Sequence, residues 1–227
     1  MYFDTYYLIL VVPALLLSVW AQFKVKSTFS HFSQQASARG ISGAQAAAYL
    51  LKANNIGDVK IERVSGNLTD HYDPSSKTLR LSDSVYGKTS IAAIGVAAHE
   101  TGHAIQHAVH YGPLALRSTL VPIANIGSAA GPVLAVLGIV FSWSFLINLG
   151  LLFFACAVLF YLVTLPVEFN ASRRAVAILG KSGTLNESEL GGVKKVLSAA
   201  ALTYVASALT AIASFLRLVL ISRNRRN

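Results

Sequence analysis

Apolar positions fall into three patterns along this chain, and each pattern predicts a different kind of element. The first is the long unbroken run. Tyr6 to Trp20 is a short run with aromatic residues at both ends, as an interfacial belt has. Leu120 to Val140 and Phe145 to Leu165 are each about the 20 residues a bilayer core requires. Only an uncharged segment containing Ser142, Trp143 and Ser144 separates them, which predicts a tight hairpin. A fourth run, Val196 to Leu216, ends at Arg217; it either spans or packs as a partly buried helix.

The second pattern is helical. Ile41 to Val59 reads ISGAQAAAYLLKANNIGDV, in which Ser42 and Gln45 have capping-box spacing, Ala, Leu and Tyr residues carry a helix to about Asn54, and Gly57 ends it. Phe23 to Arg39 is polar and mildly amphipathic, and predicts a helix lying along a lipid surface. Ile91 to Val109 predicts a helix with Thr89 or Ser90 as its N-cap. After the third run, Pro166 suits the first turn of a new helix and Gly180 its C-terminus.

The third pattern has period two. VKIERVSG, beginning at Val59, alternates as a strand does, and TDHYDPSSKTLRLSD, beginning at Thr69, reads as two short strands around a turn at Asp73, Pro74 and Ser75. The order helix, strand, hairpin, helix predicts a small α+β unit. Its outer strand is expected at Thr78 to Leu81, open either to an extended peptide or to nothing.

Composition turns these runs into membrane spans. The chain has 227 residues, 54% hydrophobic, with a mean hydropathy of +0.54, too apolar for a soluble domain of that length. The N-terminal run lacks a basic leader and a small-residue cleavage site, and so reads as a retained anchor. Net charge is +9. Lys24, Lys26, Arg39, Arg117, Arg173, Arg174, Lys181, Lys194 and Lys195 flank the runs so as to place one set of loops, and the Ile91 to Val109 helix, on the cytoplasmic side with the N-terminus outside. Arg223, Arg225 and Arg226 oppose that assignment if the fourth run spans. No aromatic-interleaved basic patch supports nucleic-acid binding. Cys156 is alone, so no intramolecular disulfide forms.

Candidate chemistry is concentrated in IAAIGVAAHETGHAIQHAV. His99 and His103 leave one face of the helix a turn apart, close enough to grip one Zn²⁺. Glu100 beside them is placed to take a proton from water that zinc has made acidic and to deliver it to a leaving amine. A catalytic zinc takes a third protein ligand. His107 lies only about 40° further round the same helix and is a weak candidate. Glu168, in LPVEFNASRRAVAILG, is the stronger one, because the hairpin returns its helix to the same side of the membrane.

HETGH, an inserted apolar hairpin, EFNAS followed by two arginines, and LTYVASALTAI together resemble the bacterial membrane neutral zinc metallopeptidases of the YugP type, which are similar in plan to membrane peptidases of the Ste24 and HtpX kind. The resemblance covers nearly the whole chain. It implies a gluzincin site with His99, His103 and Glu168 on zinc and Glu100 as general base. It also implies an α+β membrane protein: a small zincin-like domain with about three or four transmembrane helices, one hairpin lying between the two zinc-ligand helices. In that plan residues 1–22 are the N-terminal anchor and 23–117 the catalytic part with HETGH. Residues 118–165 are the hairpin, 166–195 the glutamate helix with a cytoplasmic segment, and 196–227 the last apolar helix with its basic tail.

Two positions depart from the related families: Ser172 stands where an aspartate orients a histidine, and Asn170 where an acid is expected. Tyr204 and His71 are the candidate donors to a developing oxyanion, Tyr204 the stronger. Arg173 and Arg174 are candidate contacts for a substrate carboxylate. The expected partners are a protein or peptide substrate and the lipid bilayer, with self-association or a partner subunit open through the Gly- and Ala-rich runs. The expected location is the cell membrane, multi-pass. Two other readings compete: a protease cutting inside the bilayer, and a non-catalytic zinc-binding membrane scaffold.

Overall fold

The computed structural model describes residues 4–224. Its elements follow the three patterns. A π-helical turn, Tyr7–Val11, leads into α1 (Val12–Ser33); then come α2 (Gly43–Ala53), β1 (Lys60–Val64), β2 (His71–Asp73), β3 (Thr78–Ser82), α3 (Ile91–Ala108), α4 (Gly112–Val140), α5 (Ser144–Lys181) and α6 (Glu187–Asn224). Four helical stretches, Tyr7–Ser33, Gly112–Val140, Ser144–Lys181 and Glu187–Asn224, are long and apolar enough to cross a membrane. The fourth apolar run is therefore part of one continuous helix of spanning length. Of the opposing tail arginines, Arg223 lies in its last turn, while Arg225 and Arg226 fall outside the described residues.

The chain forms two compact units. One comprises Met1–Gln22, Ala115–Pro166 and Leu202–Asn227. Within it α4 and α5 run antiparallel after a turn in which Ser142 takes a positive φ of 54°. Small residues set their separation: a Cβ on Gly138 would meet Ile147, and one on Gly131 would lie 2.8 Å from the backbone nitrogen of Phe154. In the same unit Ser18 and Thr210 hydroxyls lie 3.0 Å apart and Arg217 pairs with Asp4 at 2.6 Å. Leu16, Val19, Val133, Val136 and Leu152 stay exposed, as lipid-facing side chains do.

The other unit comprises Phe23–Leu114 and Val167–Ala201. Its three strands lie in the order β1-β3-β2, with β1 parallel and β2 antiparallel to β3. Leu79 and Leu81 point from β3 into a core with Ala47 of α2 and Ala93 and Ala97 of α3. At the β2–β3 turn the Ser75 and Ser76 hydroxyls hold the Asp73 carboxyl far below its ordinary range. The capping box at Ser42 and Gln45 is formed, and Ser90, not Thr89, caps α3 by accepting from the Ala93 N–H.

Three expectations are corrected. Thr78 to Leu81 belongs to the central strand: both its edges are used by β1 and β2, so it has no backbone groups left for a docked peptide. Phe23 to Arg39 is not a separate surface helix. α1 continues unbroken to Ser33, and Phe32 is buried with Leu50, Ile91, Ile94 and Leu197. Nor does Pro166 open a new helix. A proline removes one N–H and one helical bond, yet α5 runs continuous through it, and beyond it Val167, Ala171, Ala175 and Leu179 are all fully buried at four-residue spacing. The left-handed position after α5 is taken by Gly183, φ +58°, rather than Gly180.

Because Leu79 is wholly buried at the centre of the sheet, Leu79→Ala is expected to cost about 2–5 kcal/mol. Denaturant unfolding of the purified protein measures this; a loss below about 1 kcal/mol would show that β3 is not the packed centre.

Candidate metal centre

All the residues of this site belong to the second unit, and helix contact at one glycine brings them together. A Cβ on Gly102 would lie 2.6 Å from the carbonyl oxygen of Ala171, closer than real Cβ atoms come. With hydrogen there instead, α5 lies directly against α3. Glu168 stands one turn before Ser172 on α5, so its carboxylate is carried to the two imidazoles of α3.

The resulting geometry is compact. His99 and His103 rings meet edge to face with centroids 4.8 Å apart. Glu168 Oε2 lies 3.2 Å from His99 Nε2 and 3.5 Å from His103 Nε2. One ligand atom from each of the three residues falls within 4.8 Å of the others, and all three residues are buried, Glu168 to 2% exposure. Donors about 2.0–2.1 Å from a tetrahedral zinc stand roughly 3.3 Å from one another. The two Glu168–histidine separations match, and two neutral imidazoles with one carboxylate are a zinc-type donor set.

Behind the ligands, each imidazole is held through its other nitrogen. His99 Nδ1 is 3.1 Å from Ser172 Oγ, so the hydroxyl at the departing position does bond the histidine. His103 Nδ1 is 3.0 Å from Gln106 Oε1. Burial disfavours the charged form of His103. With no metal bound, the bond to Glu168 and the charges of Glu100 and Glu168 outweigh it and raise the His103 pKa; a bound zinc would take the place of that proton on Nε2. Glu100 is thus within electrostatic reach of His103, and it too is buried.

Other candidates are placed elsewhere. The described residues form one group of this kind, and His107 is not in it. Its Nδ1 pairs with the Tyr72 hydroxyl at 2.8 Å beside a cavity of about 250 Å³ that Asp58 and Lys77 also line. Burial, then the charges of Asp58 and Asp73, push that phenol up to about 12, so it stays protonated. His71 is exposed on β2 with Nδ1 2.9 Å from the Thr69 carbonyl. Arg174 donates to Asn170 Oδ1 at 2.7 Å and lies over the Tyr111 ring, so it is engaged within the fold; Arg173 is exposed. Tyr204 is half-buried on α6, in the part of that helix belonging to the other unit. Sequence reading overlooked Gln106, which is fully buried and bonds across to α5.

Gly102→Ala is expected to lower stability by about 1–3 kcal/mol, the usual range for overpacking, and to weaken metal binding by moving α5 off α3. Thermal unfolding and zinc titration of the variant check both; unchanged zinc affinity would contradict this account of the helix contact.

A family model described as "Putative neutral zinc metallopeptidase" matches residues 7–223. A Bacillus subtilis (strain 168) protein named "Putative membrane protease YugP" is 48% identical over 221 residues, covering 97% of this chain and 98% of that protein. No solved structure matches.

Proposed function

The chain belongs to the neutral zinc metallopeptidase family, and from that premise we propose that it is a membrane-embedded zinc endopeptidase cleaving protein substrates at the cytoplasmic membrane surface. The observation that carries this reading is the convergence of His99, His103 and Glu168 on one point, with Glu100 buried beside His103.

His99, His103 and Glu168 would hold the zinc, which when bound would supply a Lewis acid able to polarise a peptide carbonyl and make water acidic. Glu100 acts as general base, taking the proton of the attacking water and passing it to the leaving amine. Glu168 and the two imidazoles keep their positions through the reaction because all three are buried and bonded. Tyr204 is the proposed donor to the developing oxyanion. A peptidase keeps one coordination position open for water, which three protein ligands provide and a structural site does not.

The α+β unit serves as a zincin-like catalytic domain, with α4 and α5 up to Pro166 as a transmembrane hairpin between the two ligand helices. The domain boundaries read from the sequence stand as part of the same proposal. The cytoplasmic side is supported by charge: Lys24, Lys26, Arg39, Arg173, Arg174, Lys181, Lys194 and Lys195 all fall in segments of the metal-bearing unit.

Metal removal tests the activity. Hydrolysis of an unfolded protein by the detergent-purified enzyme is expected to stop on chelation and return with zinc. Cleavage that survives complete removal of zinc would overturn the reading.

A further inference from the structure

We infer that Gln106 is a positioning residue: it fixes which nitrogen of His103 faces the metal, and it ties that histidine to the turn of α5 carrying Glu168. The inference rests on the zinc site proposed above and adds to it a residue outside the HETGH motif.

Hydrogen-bond polarity carries the argument. A guanidinium can only donate, and Arg174 Nε lies 2.7 Å from one side-chain atom of Asn170, which is therefore its oxygen. That oxygen lies 3.0 Å from one terminal atom of the Gln106 amide, which must then be the nitrogen. The Val167 carbonyl, which can only accept, lies 2.8 Å from the same atom and requires the same assignment. The amide is thus oriented twice over, and its oxygen must face His103 Nδ1, 3.0 Å away. His103 therefore carries a hydrogen on Nδ1, so that in its neutral, metal-binding form the lone pair is on Nε2, the side where Glu168 Oε2 lies.

Burial makes this arrangement expensive to change. Gln106 is fully buried, so rotating the amide would strand a polar group without a partner. His99 differs, because its partner is the Ser172 hydroxyl, which can donate or accept and so dictates no tautomer. The α5 anchors of Gln106 are Val167 and Asn170, which bracket Glu168 in sequence. One amide therefore holds both helices that supply ligands. It also gives Asn170 a purpose: an acceptor oxygen for two donors, which an aspartate would equally provide.

The full-length protein in detergent tests this through three readouts: zinc dissociation constant by chelator competition, the visible spectrum of the Co²⁺-substituted protein, and thermal unfolding without metal. Gln106→Leu is expected to weaken zinc binding roughly 10- to 100-fold and to shift the Co²⁺ bands. Asn170→Asp is expected to stay within about threefold of wild type, because it keeps the acceptor, whereas Asn170→Leu weakens binding. Asn170→Leu and Asn170→Asp carry the test if Gln106→Leu does not fold. Equal zinc affinity in those two variants, or a Gln106→Leu protein with wild-type affinity and unshifted bands, would overturn the inference. A packing role alone would lower thermal stability without moving the bands. A wild-type protein that binds no zinc would instead overturn the zinc-site reading on which the inference rests.

Discussion

Glu168→Ala is expected to strip the protein of zinc, from about one per chain to a trace. The physical reason is that this carboxylate is the negative charge among the three donors and the only one supplied by α5. Without it two neutral imidazoles remain on one helix, and a buried divalent ion would face a gap in place of a charge. The protein itself should survive the change, because Val167, Ala171, Ala175 and Leu179 keep α5 packed. Elemental analysis beside a thermal melt separates the two effects. Zinc retained at the wild-type level in a folded Glu168→Ala protein would move the third ligand elsewhere.

Glu100→Gln should have the largest effect on turnover with almost none on structure. The amide keeps the size of the carboxylate but cannot accept a proton and return it, and positioned acid–base groups are worth about 100- to 10,000-fold. Because Glu100 is assigned to both the attack and the departure of the amine, the loss should fall at the upper end. Zinc content should stay at the wild-type level, as Glu100 is not among the three converging ligands. Cleavage assays at matched zinc content measure this, and a variant as active as wild type would remove Glu100 from the mechanism.

The parts of this site that sequence disclosed were those coded locally. His99 and His103 are one helical turn apart, so their common face is fixed as soon as the helix is, and Ser90 with the apolar period fixes the helix. The helices long and apolar enough to span were legible because length and composition alone mark them. Glu168 was singled out on an expected topology, in which two spans would return the chain to its starting side, and the structure places it beside the two histidines. Sequence was silent where the partner is distant. Gln106 bonds Val167 and Asn170 across the α3–α5 contact, and no local pattern announces that pairing. Gly102 offered a signal that could have been used: glycine inside a helix costs about 0.5–1 kcal/mol relative to alanine, so its presence between the two histidines pointed to a close approach.

The strand order shows the same limit. Alternation identified β1, β2 and β3 as strands, but period two says nothing about neighbours, and the parallel pairing of β1 with β3 put Thr78 to Leu81 in the middle rather than at an edge. The stretch Phe23 to Arg39, which contains the buried Phe32, was misread for a related reason. A stretch with weak amphipathicity looks like a surface helix until the core it fills is known.

X-ray absorption at the zinc edge of the zinc-loaded wild-type protein tests the central claim most directly. The account predicts four nitrogen or oxygen neighbours at about 2.0–2.1 Å, with the outer-sphere pattern of two imidazoles, the remaining positions being the Glu168 carboxylate and water. A pattern of three imidazoles, or a closed shell of four protein ligands, would contradict it.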